Sequence, residues 1–337
     1  MPLRILQTRS VAEVGYRLKT AVVGLGVIGK VHLKVLAKLN ANVVAVCDVD
    51  KSALEKFPNI KGYTDFEQML EREKPDVVHI CTPHFLHAQM IISALEKDIN
   101  VLCEKPLCIT REEIALVLDA EKRSKAQLGV CHQNRYNPEN LYLKEYLKGK
   151  KVLGGYGSVV WHRGEEYYNK AEWRGTIKGE GGGTLINQAL HTLDLMQWFL
   201  GMPKGVVATC SNHTLNGVIE VEDTAFLTCT GGDADFSFFA TNGGAVSFPV
   251  GVTVKTEDEL ILVQPNKIMV GEKLINFDNG CDFLGKKCYG KGHQGLFEDF
   301  YDCVKSGRPF DIDGIEGSKV IKIILSAYES NGEKVKI

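Results

Sequence analysis

Lys19-Thr-Ala-Val-Val-Gly24-Leu-Gly26-Val-Ile-Gly29-Lys-Val-His-Leu-Lys34, KTAVVGLGVIGKVHLK, decides how the rest of the chain is read. A β-rich apolar run ends in three glycines at GxGxxG spacing, and a helical pattern over residues 30–39 begins at once. The glycine spacing alone marks ordinary turns as often as phosphate loops. Here it lies between a strand and a helix, and a second apolar run over 43–48 ends in an acid, Asp48, 24 positions after Gly24. Gly24 then permits the tight turn, Gly26 lets the backbone approach a pyrophosphate, and Gly29 lets helix and strand pack closely. The pyrophosphate would rest on the free N–H groups at the helix start, those of Val27 and Ile28 among them. Asp48 would accept hydrogen bonds from an adenosine ribose and repel a 2′-phosphate. No Arg follows it, so NAD is expected rather than NADP.

Working outward, apolar runs at 20–24, 43–48, 76–81, 100–103 and 127–131 alternate with helical segments. Thr64 with Glu67 and Thr110 with Glu113 have capping-box spacing. Continuous apolar strands separated by helices indicate a doubly wound parallel sheet, a Rossmann-type α/β domain over 19–135. From 136 to 337 the texture changes. A helix over 138–148, a Gly-punctuated region and a helix over 187–200 precede β-like runs without intervening helices (GVVATCSNH, EDTAFLTCTG, ADFSFFATN, AVSFPVGVTV, ELILVQ). Helices over 293–305 and 316–329 finish the chain. This predicts an α+β domain with a large, mostly antiparallel open sheet. Residues 1–18 read as a polar N-terminal extension.

The 337 residues are 44% hydrophobic and 24% charged with net charge −2, which gives no electrostatic reason to expect nucleic acid or an anionic membrane as partner. No apolar run approaches the roughly 18–20 residues of a membrane span. The ten cysteines include no CxxC pair, and Cys103/Cys108 and Cys281/Cys288 do not have zinc-ligand spacing. Free, mostly buried thiols in a reducing cytoplasm are expected, and no metal.

Ligands bind at the carboxyl ends of strands in this architecture. Thr82-Pro83-His84 ends one strand and Glu104-Lys105-Pro106 another, so Glu104 and Lys105 are expected to face the nicotinamide half of a cofactor. Together, GLGVIG, CTPHFLH, CEKP, HQNRYNP, WRGT and GGGTLINQALHTLD resemble the Gfo/Idh/MocA family of nicotinamide-dependent oxidoreductases, from about Lys19 to the C-terminus. The resemblance implies a Rossmann domain followed by a substrate domain whose open sheet forms a subunit interface, hence a homodimer or homotetramer. It carries the family's catalytic lysine onto Lys105 and its acid/base histidine onto His191, and it places His87 near the nicotinamide ribose.

Asn187 and His191 are four apart, so on one helix they would share a face, with Asp194 close to the same stripe. The glycine run 181–183 would let the helix start lie close to a ligand. Inositol-dehydrogenase-like members carry Asp where this chain has Asn187, and an amide cannot share a proton. Asn there also resembles members acting on nucleotide sugars and other glycosides. Gln133, Asn134, Arg135 and Tyr136 could line the interdomain cleft. His162, Arg163, Tyr167, Tyr168, Trp173 and Arg174 form a polar–aromatic segment suited to a sugar.

The leading expectation is an NAD-dependent dehydrogenase acting on a secondary hydroxyl of a sugar, glycoside, nucleotide sugar or cyclitol. Lys105, His191 and Asn187 would be its catalytic residues, and Asn134, Arg135, Arg163 and Trp173 would contact substrate. The alternative is a redox-neutral glycoside-cleaving or sugar-interconverting enzyme that recycles a tightly held NAD. A non-catalytic sensor would be expected to lack Lys105 or His191, and both are present.

Overall fold

Six apolar runs pair side by side in one parallel sheet: β1 (Lys19–Val23), β2 (Asn42–Cys47), β3 (Lys61–Tyr63), β4 (Val77–Ile80), β5 (Asn100–Cys103) and β6 (Leu128–Val130). A computed structural model describes residues 16–278 and 291–337. The strand order is β3-β2-β1-β4-β5-β6, so the winding reverses between β1 and β4. That reversal opens a crevice at the carboxyl ends of β1, β4 and β5, where Gly24, Thr82 and Glu104 begin their loops. The helices Val27–Lys38, His87–Glu96 and Arg111–Arg123 cover the sheet. Thr110 and Glu113 form the expected capping box. At the earlier start the cap shifts by one residue: Asp65, not Thr64, accepts from the Gln68 N–H at 2.7 Å.

A second sheet has nine strands: β7 (Val152–Val160), β8 (Gly205–Ser211), β9 (Thr224–Thr230), β10 (Asp235–Thr241), β11 (Gly251–Thr256), β12 (Leu260–Gln264), β13 (Lys267–Val270), β14 (Lys273–Asn276) and β15 (Val335–Lys336). Their order is β14-β13-β12-β11-β7-β10-β9-β8-β15, antiparallel except where β10 runs parallel to β7. The central strand β7 is the Gly-punctuated region of the sequence. Its glycines leave room for the helix Leu190–Leu200: a Cβ on Gly155 would lie 3.1 Å from Leu200, and one on Gly157 would lie 2.5 Å from Met196 Sδ. Close packing of a helix on the sheet therefore removes the β-branched residues by which a central strand is usually recognised.

The last two helices, Gly292–Ser306 and Gly314–Ser330, return to the first sheet. A Cβ on Gly129 would lie 2.8 Å from the Phe300 ring, one on Gly317 would lie 2.4 Å from Val130, and Val130 N–H donates to Ile312 O at 2.9 Å. The start of this segment thus packs on the Rossmann sheet although it follows the second domain in sequence, while the end of the last helix reaches the second sheet, where Ala208 N–H donates to Ser330 Oγ at 2.8 Å. Tyr16, assigned by sequence to an N-terminal extension, is buried against Tyr301, with 5.0 Å between ring centroids. The rest of that extension (1–15), Cys281 and Cys288 lie outside the described residues. All eight described cysteines are unpaired, seven of them buried. No described helix is long and apolar enough to cross a membrane.

Gly157→Val is expected to cost about 2 kcal/mol by overpacking against Met196 and Phe238, read as a lower urea midpoint at unchanged slope. An unchanged midpoint would mean that the helix does not press on β7.

Candidate active site

The loop after β1 has the shape the glycine spacing predicts. Gly24 sits at φ +84°, and a Cβ there would lie 2.5 Å from Cys81 O. A Cβ on Gly29 would fall 1.9 Å from Gly24 O, so only glycine lets this helix approach its strand. At Gly26 a Cβ would meet nothing within 4 Å, and Gly26 and Val27 are exposed, with Ile28 partly so. No side chain caps the helix there. Its first-turn N–H groups are thus available to a phosphate over an open surface. At the end of β2, Asp48 accepts from Leu25 N–H at 2.7 Å and from Asp50 N–H at 2.9 Å, which fixes its carboxylate beside the loop. Lone pairs remain on both oxygens for a ribose diol. Open loop, bare helix end and fixed carboxylate together fit NAD.

Glu104 and Lys105 part company at the end of β5. Successive residues of an extended strand point to opposite sides, and only the lysine turns toward the second domain. Glu104 is 4% exposed, with Oε1 2.9 Å from His32 Nε2 and 3.5 Å from His293 Nε2. Burial opposes its ionisation, but hydrogen bonds from His293 and His32 overcome this and hold the carboxyl well below its ordinary range. A carboxylate only accepts, so the direction of the whole buried chain follows. His32 donates from Nε2 and accepts at Nδ1 from His79 Nδ1 (2.9 Å), His79 Nε2 accepts from the Tyr301 hydroxyl (3.0 Å), and Tyr301 accepts from Thr20 Oγ1 (2.8 Å). Burial pulls both His32 and His79 below the ordinary histidine value, consistent with two neutral tautomers. His32, Glu104 and His293 also have the donor set and spacing of a metal site, their ligand atoms lying within 4.8 Å of one another. The short His32–Glu104 contact has hydrogen-bond geometry.

Lys105 is half-buried, and its Nζ donates to Asn187 O at 3.0 Å and Asn187 Oδ1 at 3.3 Å. Burial lowers its pKa, aided by the Arg174 charge, while Glu104 and Glu180 oppose the shift. The helix predicted over 187–200 begins only at Leu190. Asn187 lies in the preceding turn, closed by Asn187 N–H to Gly183 O (3.2 Å) and Ala189 N–H to Thr184 O (2.8 Å). Asn187 and His191 therefore do not share a helical face. The glycine run accommodates protein rather than ligand: a Cβ on Gly183 would lie 1.8 Å from Glu222 O, and one on Gly182 would lie 2.2 Å from the Tyr328 hydroxyl.

His191, in the first turn of its helix, has Nε2 3.4 Å from Gln133 Nε2. Its Nδ1 is buried with no hydrogen-bond partner among the described residues. Burial first, and then the Lys105 and His132 charges, hold it well below the ordinary histidine value. It is therefore neutral near pH 7, a proton acceptor rather than a donor.

Other expected site residues are committed elsewhere. Arg135 is 3% exposed and pairs with both oxygens of Asp194 (2.8 and 2.5 Å) and with Glu316 (2.9 Å), tying three segments together rather than facing substrate. His87 is fully buried between the two strand-end loops, with Nδ1 2.7 Å from Pro106 O and Nε2 3.0 Å from Thr82 O, and the neutral ring donates to one of these carbonyls. Thr82 and Pro83 remain partly exposed at the crevice, as does Asn134 beside Gln133. Tyr136 is occupied by Asp299 at 2.6 Å. Trp173 lies 5.0 Å from the His84 ring. Arg163 stacks over Trp161 (4.7 Å) and Tyr167 (5.2 Å), and Arg174 lies over Tyr167 at 4.3 Å. The buried Nε of each arginine has no hydrogen-bond partner among the described residues.

Sequence reasoning missed Glu180, which accepts from Asn187 Nδ2, and the His32–His79–Tyr301 chain behind Glu104. The only local signal for Glu180 is its place immediately before the glycine run in GEGGG.

Residues 18–132 match the family described as "Oxidoreductase family, NAD-binding Rossmann fold", and residues 150–246 match the GFO/IDH/MocA C-terminal domain. The chain is similar to the rhizopine catabolism protein MocA of Rhizobium meliloti, 29% identical over 63% of this chain and 67% of that one. D-glucoside 3-dehydrogenase of Escherichia coli (strain K12) is 32% identical over 55% of each chain. Inositol 2-dehydrogenase of Salmonella typhimurium is 31% identical over 54% of each. The chain thus spans about half to two thirds of the length of these relatives. Among solved structures, the WlbA dehydrogenase from Chromobacterium violaceum, in complex with NADH and UDP-GlcNAcA, is 28% identical with a TM-score of 0.83, covering 96% of both chains. Levoglucosan dehydrogenase, in complex with NADH and levoglucosan, shares the fold at 21% identity and a TM-score of 0.83, over 95% of this chain and 99% of that one.

Dialysis of the protein against a chelator is expected to leave its melting temperature unchanged, because hydrogen bonds rather than an ion satisfy Glu104. A drop of several degrees restored by zinc would assign a metal to the His32–Glu104–His293 cluster.

Proposed function

This chain belongs to the GFO/IDH/MocA oxidoreductase family, and on that premise we propose that it is an NAD-dependent dehydrogenase oxidising a secondary hydroxyl of a sugar, glycoside, nucleotide sugar or cyclitol. The observation carrying this reading is the half-buried Lys105 at the carboxyl end of β5, its Nζ held by Asn187 O and Oδ1 in the crevice onto which the glycine loop opens, with His191 near enough to feel its charge. NAD, when bound, supplies the hydride acceptor. Two of the three Lys105 N–H groups are directed at Asn187, and the third is left for a substrate oxygen, whose developing negative charge it stabilises. His191 takes the hydroxyl proton, directly or through Lys105. Trp173, Arg163, Arg174 and Tyr167 offer stacking faces with polar tips, the combination a sugar ring requires.

The outer face of the second sheet supports assembly with a second copy of this chain. Tyr156, Leu262, Met269 and Leu274 fall in one cross-strand row through Thr253, and Phe226 pairs with Phe239 alongside it. Tyr156, Phe226 and Leu274 are each more than half exposed, and an exposed apolar row of this kind supports a homodimer interface. The eight unpaired cysteines support a reducing, cytoplasmic setting.

Lys105→Ala is expected to lower turnover at least about a hundredfold with little change in NAD affinity; turnover that survived the change would overturn the assignment. The pH profile supplies an independent check. A base active in its neutral form loses activity as pH falls through its own pKa, and His191 lies below the ordinary value of about 6.5. The acid limb of kcat/KM should therefore fall below pH 6.5, whereas a limb above 7 would point to another base.

A further inference from the structure

Asn187 stands between two ionisable groups of opposite charge. Its main-chain oxygen and Oδ1 accept from Lys105 Nζ, and its Nδ2 donates to Oε1 of Glu180. Glu180 is 1% exposed. Its Oε2 accepts from Gly175 N–H, and its main-chain oxygen accepts from His84 Nδ1 at 2.9 Å. An ammonium only donates and a carboxylate only accepts, while a side-chain amide has one end of each kind. With both charges in place, the amide has one orientation that satisfies both neighbours. The geometry points to Glu180 as a positioning residue for Lys105: its carboxylate orients the Asn187 amide and supplies, one amide away, a counter-charge that adds to that of Glu104 in keeping the half-buried lysine cationic.

This inference rests on the reading of Lys105 as the catalytic cation. The groups that face the pair are few. Around Lys105 are the carboxylates of Glu104 and Glu180 and the guanidinium of Arg174, with His84, His87 and His191 on its periphery. Around Glu180 are Arg174, Lys105 and the Tyr168 hydroxyl. Burial raises the Glu180 pKa, and the Gly175 N–H, the Asn187 amide and the two cations bring it only part of the way back. The amide couples the two charges without direct contact between them, and the third lysine N–H remains for substrate.

Glu180→Gln removes the charge and also reverses the relay. The new amide can still accept from Gly175 N–H, but its NH2 then faces Asn187, which turns its oxygen toward residue 180 and its own NH2 toward Lys105. Two donors would oppose each other, favouring a neutral lysine. The test needs no substrate: the NAD-saturated full-length protein carries lysine enriched with 13C at the ε-carbon, and Lys105 is identified by the resonance lost in Lys105→Arg. The Lys105 titration midpoint should fall by about one pH unit or more in Glu180→Gln. It should return toward the wild-type value in Glu180→Gln with Asn187→Asp, which restores the carboxylate at the neighbouring position. An unchanged midpoint in Glu180→Gln, with circular dichroism and NAD affinity intact, overturns the proposal. Should Glu180→Gln not fold, Glu180→Asp decides: its shorter side chain draws the carboxylate away from Asn187 Nδ2 and should lower the midpoint, and an unmoved midpoint again overturns it. Turnover surviving in Lys105→Ala would sink the catalytic reading while leaving this titration, and the coupling it measures, standing.

Discussion

Glu104 is the group on which the active-site face depends. A carboxylate at 4% exposure is costly unless every strong acceptor position is used, and here His32, His293 and the Lys105 N–H converge on it. Their hold fixes the end of β5, and the alternation of an extended chain then sends the next side chain the other way. Lys105 consequently reaches the turn before the Leu190–Leu200 helix instead of folding back into solvent. Two adjacent charges of opposite sign do not neutralise each other locally. One anchors the Rossmann domain from within, and the other crosses to the turn before the Leu190–Leu200 helix.

The same burial sets the acid–base chemistry. Desolvation is the leading cause of the low pKa of His32, His79, His84, His87, His132 and His191, so the Rossmann interior and the crevice beside it contain many imidazoles that are neutral near pH 7. Among the described residues, the charges that persist there sit in specific partnerships: Glu104 with histidines, Arg135 with Asp194 and Glu316, and Lys105 with Asn187. An environment of fixed dipoles and few mobile charges suits the stabilisation of an alkoxide that exists only in passing.

The sequence resolved what depends on local periodicity and spacing. The glycine loop, Asp48 and the alternation of strands and helices follow from short-range patterns, whereas the roles of Lys105 and His191 came only from the family resemblance. Strand β7 was hidden because close helix packing requires glycine where a strand ordinarily shows branched residues. Arg135 looked like a cleft residue because its partners, Asp194 and Glu316, are 59 and 181 positions away. Glu104 was read as facing the cofactor because one strand end offers two directions, and only the distant His32 and His293 select between them. Glu180 escaped for a related reason: it acts through Asn187, and no spacing rule joins a turn residue to the short helix before it.

The most direct measurement is the isotope content of the nicotinamide ring after the NAD-loaded protein meets sugars, glycosides and cyclitols deuterated at their carbinol carbons. An NAD-dependent dehydrogenase acting on a secondary hydroxyl must deliver the deuterium of one such carbon to nicotinamide C4, giving a cofactor one mass unit heavier in step with ketone formation. Consumption of a substrate while the nicotinamide stays unlabelled would contradict the account at its centre.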